Sequence, residues 1–119
     1  MKENIILKKT FDFSVEIAKL YAMLRKKKET IISKQLLRSA ASIGANVHEA
    51  SAALTKKEFI LKMSIASKEA RESDYWLRLL TASKLVDYDY SSYLSANDEI
   101  IKIITAILKT AQSSPTSPK

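Results

Sequence analysis

Arg38, Glu69 and Glu72 are the residues whose types and spacing come nearest to chemistry in this chain. Two carboxylates three residues apart share one face of a helix. A guanidinium brought against them makes either an ion pair or part of an acid/base site. A working acid/base site also needs a nucleophile or a metal beside its carboxylates, and the sequence offers neither. It contains no Cys and one His, His48, which excludes thiol catalysis and disulfides and leaves no basis for a Cys- or His-built metal centre. His48 reads as a surface or structural residue. Asn46 and Glu49, three apart on one segment, read as hydrogen-bonding groups directed at a neighbouring helix or subunit. Together Arg38, Asn46, Glu49, Glu69 and Glu72 read as a polar network that fixes register. The expectation is a non-catalytic protein with no cofactor, no metal and no small-molecule substrate.

The second chemical candidate is charge. The chain carries 20 Lys/Arg against 13 Asp/Glu, a formal net charge of +7. Residues 1–38 hold ten Lys/Arg and four Asp/Glu, so nearly all the excess lies in the first third. Such a surplus implies an anionic partner met through a localised face. Arg25, Lys26, Lys27 and Lys28, with Lys34 just beyond, form its densest run. They serve either as a solvated cap on the negative end of a helix dipole or as a phosphate-contacting patch. Tyr75, Trp76, Tyr88, Tyr90 and Tyr93 could stack on unpaired bases or act as core plugs and interface anchors. There is no Gly-rich phosphate loop, no RNA-recognition-motif or KH signature and no helix-turn-helix glycine turn.

The elements that must position these groups are helices. The chain has 119 residues with one Gly and two Pro, both Pro among the last five residues, so turn punctuation is scarce. In Gln35–Leu54, Leu36, Ala40, Ile43, Val47, Ala50 and Leu54 recur at alternating steps of four and three, the spacing of a helix seam. Before it, a first helix from about Ile5 to Lys27 carries Phe13, Ile17, Leu20 and Leu24. A second stripe, Phe11, Val15, Ala18 and Ala22, makes its apolar face wider than one helix pair needs. Thr30 is placed to cap the second helix, from about Ile31 to Ala53. Thr55 and Glu58 form a capping box for a third helix that reaches about Lys84 on Phe59, Met63, Ala66, Ala70, Ser73, Leu77 and Leu80. Residues 86–92 read as a loop. A fourth helix from about Ser92 to Ala111 uses Ile100, Ile104, Ile107 and Ala111. The pattern predicts an all-α, antiparallel up-down-up-down four-helix bundle over residues 1–111 and a disordered polar tail over 112–119. No apolar run is long enough for a signal peptide or a membrane span, so a cytoplasmic location is expected.

The segment Gln35-Leu36-Leu37-Arg38-Ser39-Ala40-Ala41-Ser42-Ile43-Gly44-Ala45-Asn46-Val47-His48-Glu49, continued by Glu58-Phe59, Ala66, Glu69, Glu72 and Trp76-Leu77, resembles the four-helix-bundle family encoded in intervening sequences of bacterial 23S ribosomal RNA genes. The family pattern usually has Pro where Gly44 stands and Gly where Ala50 stands. Gly44 can still bend a helix or admit close packing, while Ala50 favours a second helix that runs on past Glu49. The resemblance implies a homopentamer and a link to ribosomal RNA intervening sequences. It also brings in the related accessory proteins of diversity-generating retroelements, basic pentameric bundles that work with nucleic acid and a reverse transcriptase. The expected role is an oligomer that binds structured RNA or other nucleic acid. The alternative is a structural oligomer that binds an acidic protein.

Overall fold

The computed structural model describes residues 2–113, which form α1 (Lys2–Lys26), α2 (Ile32–Ser51), α3 (Lys56–Ser83) and α4 (Ser91–Ser113). Among the described residues there is no strand. Each helix packs against the next, and α4 returns to α1, closing an antiparallel bundle of 55 × 21 × 20 Å. The connections span residues 27–31, 52–55 and 84–90, short enough to force neighbouring helices antiparallel. α2 and α3 share the most extensive contact, and α1 and α4 the least.

The core follows the alternating four-three spacing. Ile6, Phe13, Ile17, Leu20 and Leu24 of α1 meet Leu36, Ala40, Ile43, Val47 and Ala50 of α2. Met63, Ala66, Ala70, Leu77 and Leu80 of α3 and Ile100, Ile104 and Ile107 of α4 complete the cluster. Small residues set the close approaches. α2 passes through Gly44 as uninterrupted helix, and a Cβ there would lie 3.2 Å from Ser14 Oγ and 3.4 Å from the Thr10 carbonyl oxygen. Gly44 therefore serves as a contact point for α1 and not as a bend. The Ser14 hydroxyl uses that closeness, donating across the interface to the Ala40 carbonyl at 3.2 Å. Between α2 and α3 the buried hydroxyls of Ser39 and Ser73 bond to each other at 2.8 Å.

Several local expectations are corrected. Thr30 does not cap α2. The N-cap position falls on Ile31, which makes no side-chain cap bond, and the carboxylate of Glu29 takes over. Its two oxygens accept from the backbone N–H groups of Ile31 (3.1 Å), Ile32 (2.9 Å) and Ser33 (2.8 Å). α2 ends at Ser51, so Leu54 leaves the seam and stands 93% exposed in the turn. Thr55 Oγ1 does accept from the Glu58 N–H at 3.0 Å, while Glu58 reaches back to the N–H of Leu54 at 3.1 Å. α3 stops one residue short of Lys84, whose left-handed backbone (φ 54°) ends it. α4 continues through Ser113 and so takes in two residues assigned to the tail; residues 114–119 lie outside the described residues. As the width of the apolar face of α1 implied, its second stripe is left over by the bundle: Phe11, Val15, Ala18 and Ala22 all remain on the surface.

Candidate nucleic-acid interface

The end of α1 is built by a backbone motif that normally uses glycine. Lys28 has a left-handed backbone (φ 70°), its N–H bonds the Arg25 carbonyl at 2.9 Å, and the Glu29 N–H bonds the Leu24 carbonyl at 2.9 Å. This pair of bonds satisfies the last carbonyls of α1 and turns the chain sharply into α2. The turn gathers Arg25, Lys26, Lys27 and Lys28 at one corner of the bundle, with Lys34 one turn into α2, and all five are exposed. None of them has an ion-pair partner among the described residues, whereas Lys8, Lys9, Lys19 and Arg38 are each bridged to a carboxylate.

Glu29, the acid nearest this corner in sequence, is turned inward and almost fully buried. Burial pushes its carboxyl pKa up, but the N–H groups of Ile32, Ser33 and Ile31, with the Ser33 side chain, outweigh that and hold it below the ordinary value of 4.5. The negative charge is thus retained and spent on the helix terminus, leaving the surface of the corner positive.

The polar residues singled out on α2 and α3 behave differently. Arg38 reaches both expected carboxylates, Nη1 to Glu69 Oε1 at 3.4 Å and Nη2 to Glu72 Oε2, and its Nε donates to Gln35 Oε1 at 3.2 Å. Trp76 Nε1 donates to the same Glu72 oxygen at 2.9 Å. Trp76 lowers the pKa of Glu72 most; burial opposes the shift and Arg38 reinforces it. Glu49 pairs across to Lys62 on α3 at 2.8 Å. Asn46 does not reach another helix: its Nδ2 donates to the carbonyl and hydroxyl of Ser42 on its own helix, at 2.9 and 3.1 Å. His48 lies exposed beside them.

Folding also brings together groups the sequence reading did not single out. Asn97 is completely buried in α4, where its Nδ2 donates to the Ala70 carbonyl at 2.8 Å and its Oδ1 has no partner among the described residues. Extending the spacing of Ile107, Ile104 and Ile100 backward by three residues would have found it. Of the aromatics, Tyr90 plugs the core and its hydroxyl bonds the Val86 carbonyl at 2.9 Å, whereas Tyr75 and Tyr88 are exposed.

A search of known families matches residues 2–106 to the family described as 23S rRNA-intervening sequence protein. The chain belongs to that family. Consistent with this, it is similar to the crystal structure of a protein of unknown function from the S23 ribosomal protein family of Bacteroides thetaiotaomicron VPI-5482. That likeness has a TM-score of 0.88 and 43% sequence identity, and covers 92% of this chain and all of the other. No curated protein matches the chain.

Within this intervening-sequence bundle, the loosest seam is the opposite of the basic corner in sign. A groove of about 370 Å³ between α1 and α4 is lined by Asp12, Glu16, Glu99, Lys9 and Tyr93 over Phe13 and Ile100. Lys9 bridges Glu99 at 3.2 Å. Burial, then the hydrogen bond with Tyr88, pushes the Tyr93 hydroxyl up to about 12. An acidic groove of this kind repels a polyanion. Among the described residues no helix is long and apolar enough to cross a membrane.

Proposed function

We propose that this intervening-sequence family member is a non-catalytic, oligomeric nucleic-acid-binding protein, with structured RNA the favoured ligand. The observation that carries the reading is the corner formed by Arg25, Lys26, Lys27, Lys28 and Lys34, five exposed cations without a carboxylate partner among the described residues. Unpaired cations gathered at one end of a helix repel one another, and a polyanion relieves that repulsion while releasing its own counterions. Contacts of this type are made to phosphates, so affinity falls steeply with salt and depends weakly on base sequence.

The oligomer is supported by a separate surface. Phe11 is 67% exposed, and Val15, Ala18 and Ala22 continue its stripe along α1. Ala41 and Ala45, also exposed, lie on the flank of α2 that Gly44 turns toward α1. Exposed apolar helix surface of this kind is covered by a second copy in many soluble bundles. A closed ring, with five subunits favoured by the family resemblance, would repeat the basic corner around its axis. Several weak patches could then act together on one long strand.

Purification from the native cell with and without nuclease treatment tests the binding reading: the protein should carry RNA that nuclease removes. Light scattering coupled to size exclusion tests the assembly, with a multiple of the 13.4 kDa chain mass expected. A protein that retains an acidic protein partner after nuclease, and no nucleic acid before it, would establish the alternative reading instead.

A further inference from the structure

The basic corner is not flat. Between the last turns of α1 and the first turn of α2 lies a depression of about 470 Å³ lined by Tyr21, Arg25, Thr30, Ile31, Lys34 and Gln35. The depression is shallow and open to solvent. Tyr21 and Arg25 are one turn apart on α1 and so share a face, and Lys34 and Gln35 face them from α2. The ring of Tyr21 is half-buried, while Arg25, Thr30, Ile31 and Lys34 are exposed. No carboxylate lines the depression. Glu29, the nearest in sequence, is held by the N–H groups of residues 31–33. Because those N–H groups are taken, the start of α2 is not itself the anion site here, and the side chains must supply recognition.

The lining therefore combines one aromatic face, two cations, a hydroxyl, an amide and the exposed side chain of Ile31. Resting on the nucleic-acid reading above, we propose that this depression is a subsite for one unpaired nucleotide. The base packs on Tyr21, and Arg25 and Lys34 hold the flanking phosphates. Gln35 Oε1 already accepts from Arg38 at 3.2 Å, so its NH2 is the end directed at a base edge or ribose, with the Thr30 hydroxyl as a second polar contact. A phosphate-only patch needs no aromatic ring and has no group that reads an unpaired base. A half-buried ring in a depression cannot reach bases stacked inside a duplex, so this corner discriminates by strandedness.

The test measures binding of a labelled oligoadenylate, and of the same strand annealed to its complement, by the full chain and by Tyr21→Leu, which keeps apolar bulk and removes the π face. The wild type should favour the single strand. Tyr21→Leu should lose roughly ten-fold or more for the single strand while its duplex affinity and salt slope stay unchanged, and Tyr21→Phe should behave as wild type. Ile31→Glu places a carboxylate on the rim at a position 77% exposed, so the fold tolerates it, and it should weaken single-strand binding more than duplex binding. Equal losses for both ligands, or no loss in either variant, would overturn the subsite while leaving phosphate binding in place. If the wild type binds neither ligand, the nucleic-acid reading itself falls.

Discussion

Arg38 stands one turn of α2 beyond Lys34, yet the two belong to opposite kinds of charged cluster. Arg38 spends its guanidinium on Glu69, Glu72 and Gln35, and Glu72 is also bonded by Trp76. Lys34 and the end of α1 have no such partners among the described residues, because the one acid in the turn, Glu29, is folded under to cap α2. The difference shows how a bundle separates holding from binding. Charges placed between two helices find each other and fix register. Charges placed at a helix junction, where the chain turns outward, have only solvent or a ligand to meet. Perturbing one cluster should therefore move stability and leave binding alone, and perturbing the other should do the reverse.

The largest effect is expected from charge reversal at the corner. Lys26→Glu with Lys27→Glu should weaken RNA binding by about a hundred-fold at low salt and lower the salt slope by about 1.4, the value for two lost phosphate contacts on a single strand. Helical content and assembly mass should be unchanged. A gel-shift titration at two salt concentrations reads both numbers. A purely capping role for these lysines predicts equal affinities and a slight change in melting temperature.

Glu29 joins the two kinds of cluster, since its carboxylate serves stability and its inward turn leaves the corner positive. Glu29→Ala should cost about 2 kcal/mol, at the upper end for a helix cap, because three N–H groups lose their acceptor together. Its pKa is depressed in the folded chain, so its contribution is fully present above the ordinary value of 4.5 and is lost as pH falls through the lower folded value. Thermal melts of the wild type should therefore steepen in pH dependence below about pH 4.5, and Glu29→Gln should remove that part of the dependence.

How far these arrangements could be read beforehand depends on how local their causes are. The four-three recurrence of Leu36, Ala40, Ile43, Val47 and Ala50 is a property of one segment, and it carries the bundle. The Arg38–Glu69–Glu72 contact needs only two antiparallel helices of known register, and it was legible on that basis. Thr30 has the residue type of a cap and stands next to the helix, yet it does not cap α2. The longer side chain of Glu29 reaches the same N–H groups from two residues before the N-cap position, and nothing in a propensity rule separates the two. The depression beside Tyr21 was not legible at all. Its walls come from two helices whose offset is set by the Lys28 turn and by the Gly44 contact, both tertiary facts.

On the holding side of the comparison, Arg38→Ala should cost about 1 kcal/mol. The larger penalty of breaking a buried pair does not apply, since the Arg38 side chain is 49% exposed and water can replace it on Glu69 and Glu72. Its RNA affinity should fall by no more than a few-fold, since the change reaches the corner only through the Arg38–Gln35 bond. A normal melting temperature combined with lost binding would move Arg38 into the interface and erase the distinction drawn here.

The smallest and most discriminating effect concerns Lys28. Its left-handed backbone is costly for any residue with a Cβ and nearly free for glycine, so Lys28→Gly should stabilise the protein by about 0.5–1 kcal/mol. The same substitution removes one of the five cations at the corner and should lower RNA affinity by a few-fold, with a salt slope smaller by about 0.7. Stability and binding would then move in opposite directions from a single change. That outcome means the position has kept a strained backbone together with a charge that the fold itself does not use. If Lys28→Gly gains stability with no change in affinity or slope, Lys28 lies outside the interface and the patch narrows to Arg25, Lys26, Lys27 and Lys34. If it loses stability, the lysine stem packs on the turn, and its charge is incidental to why the residue is there.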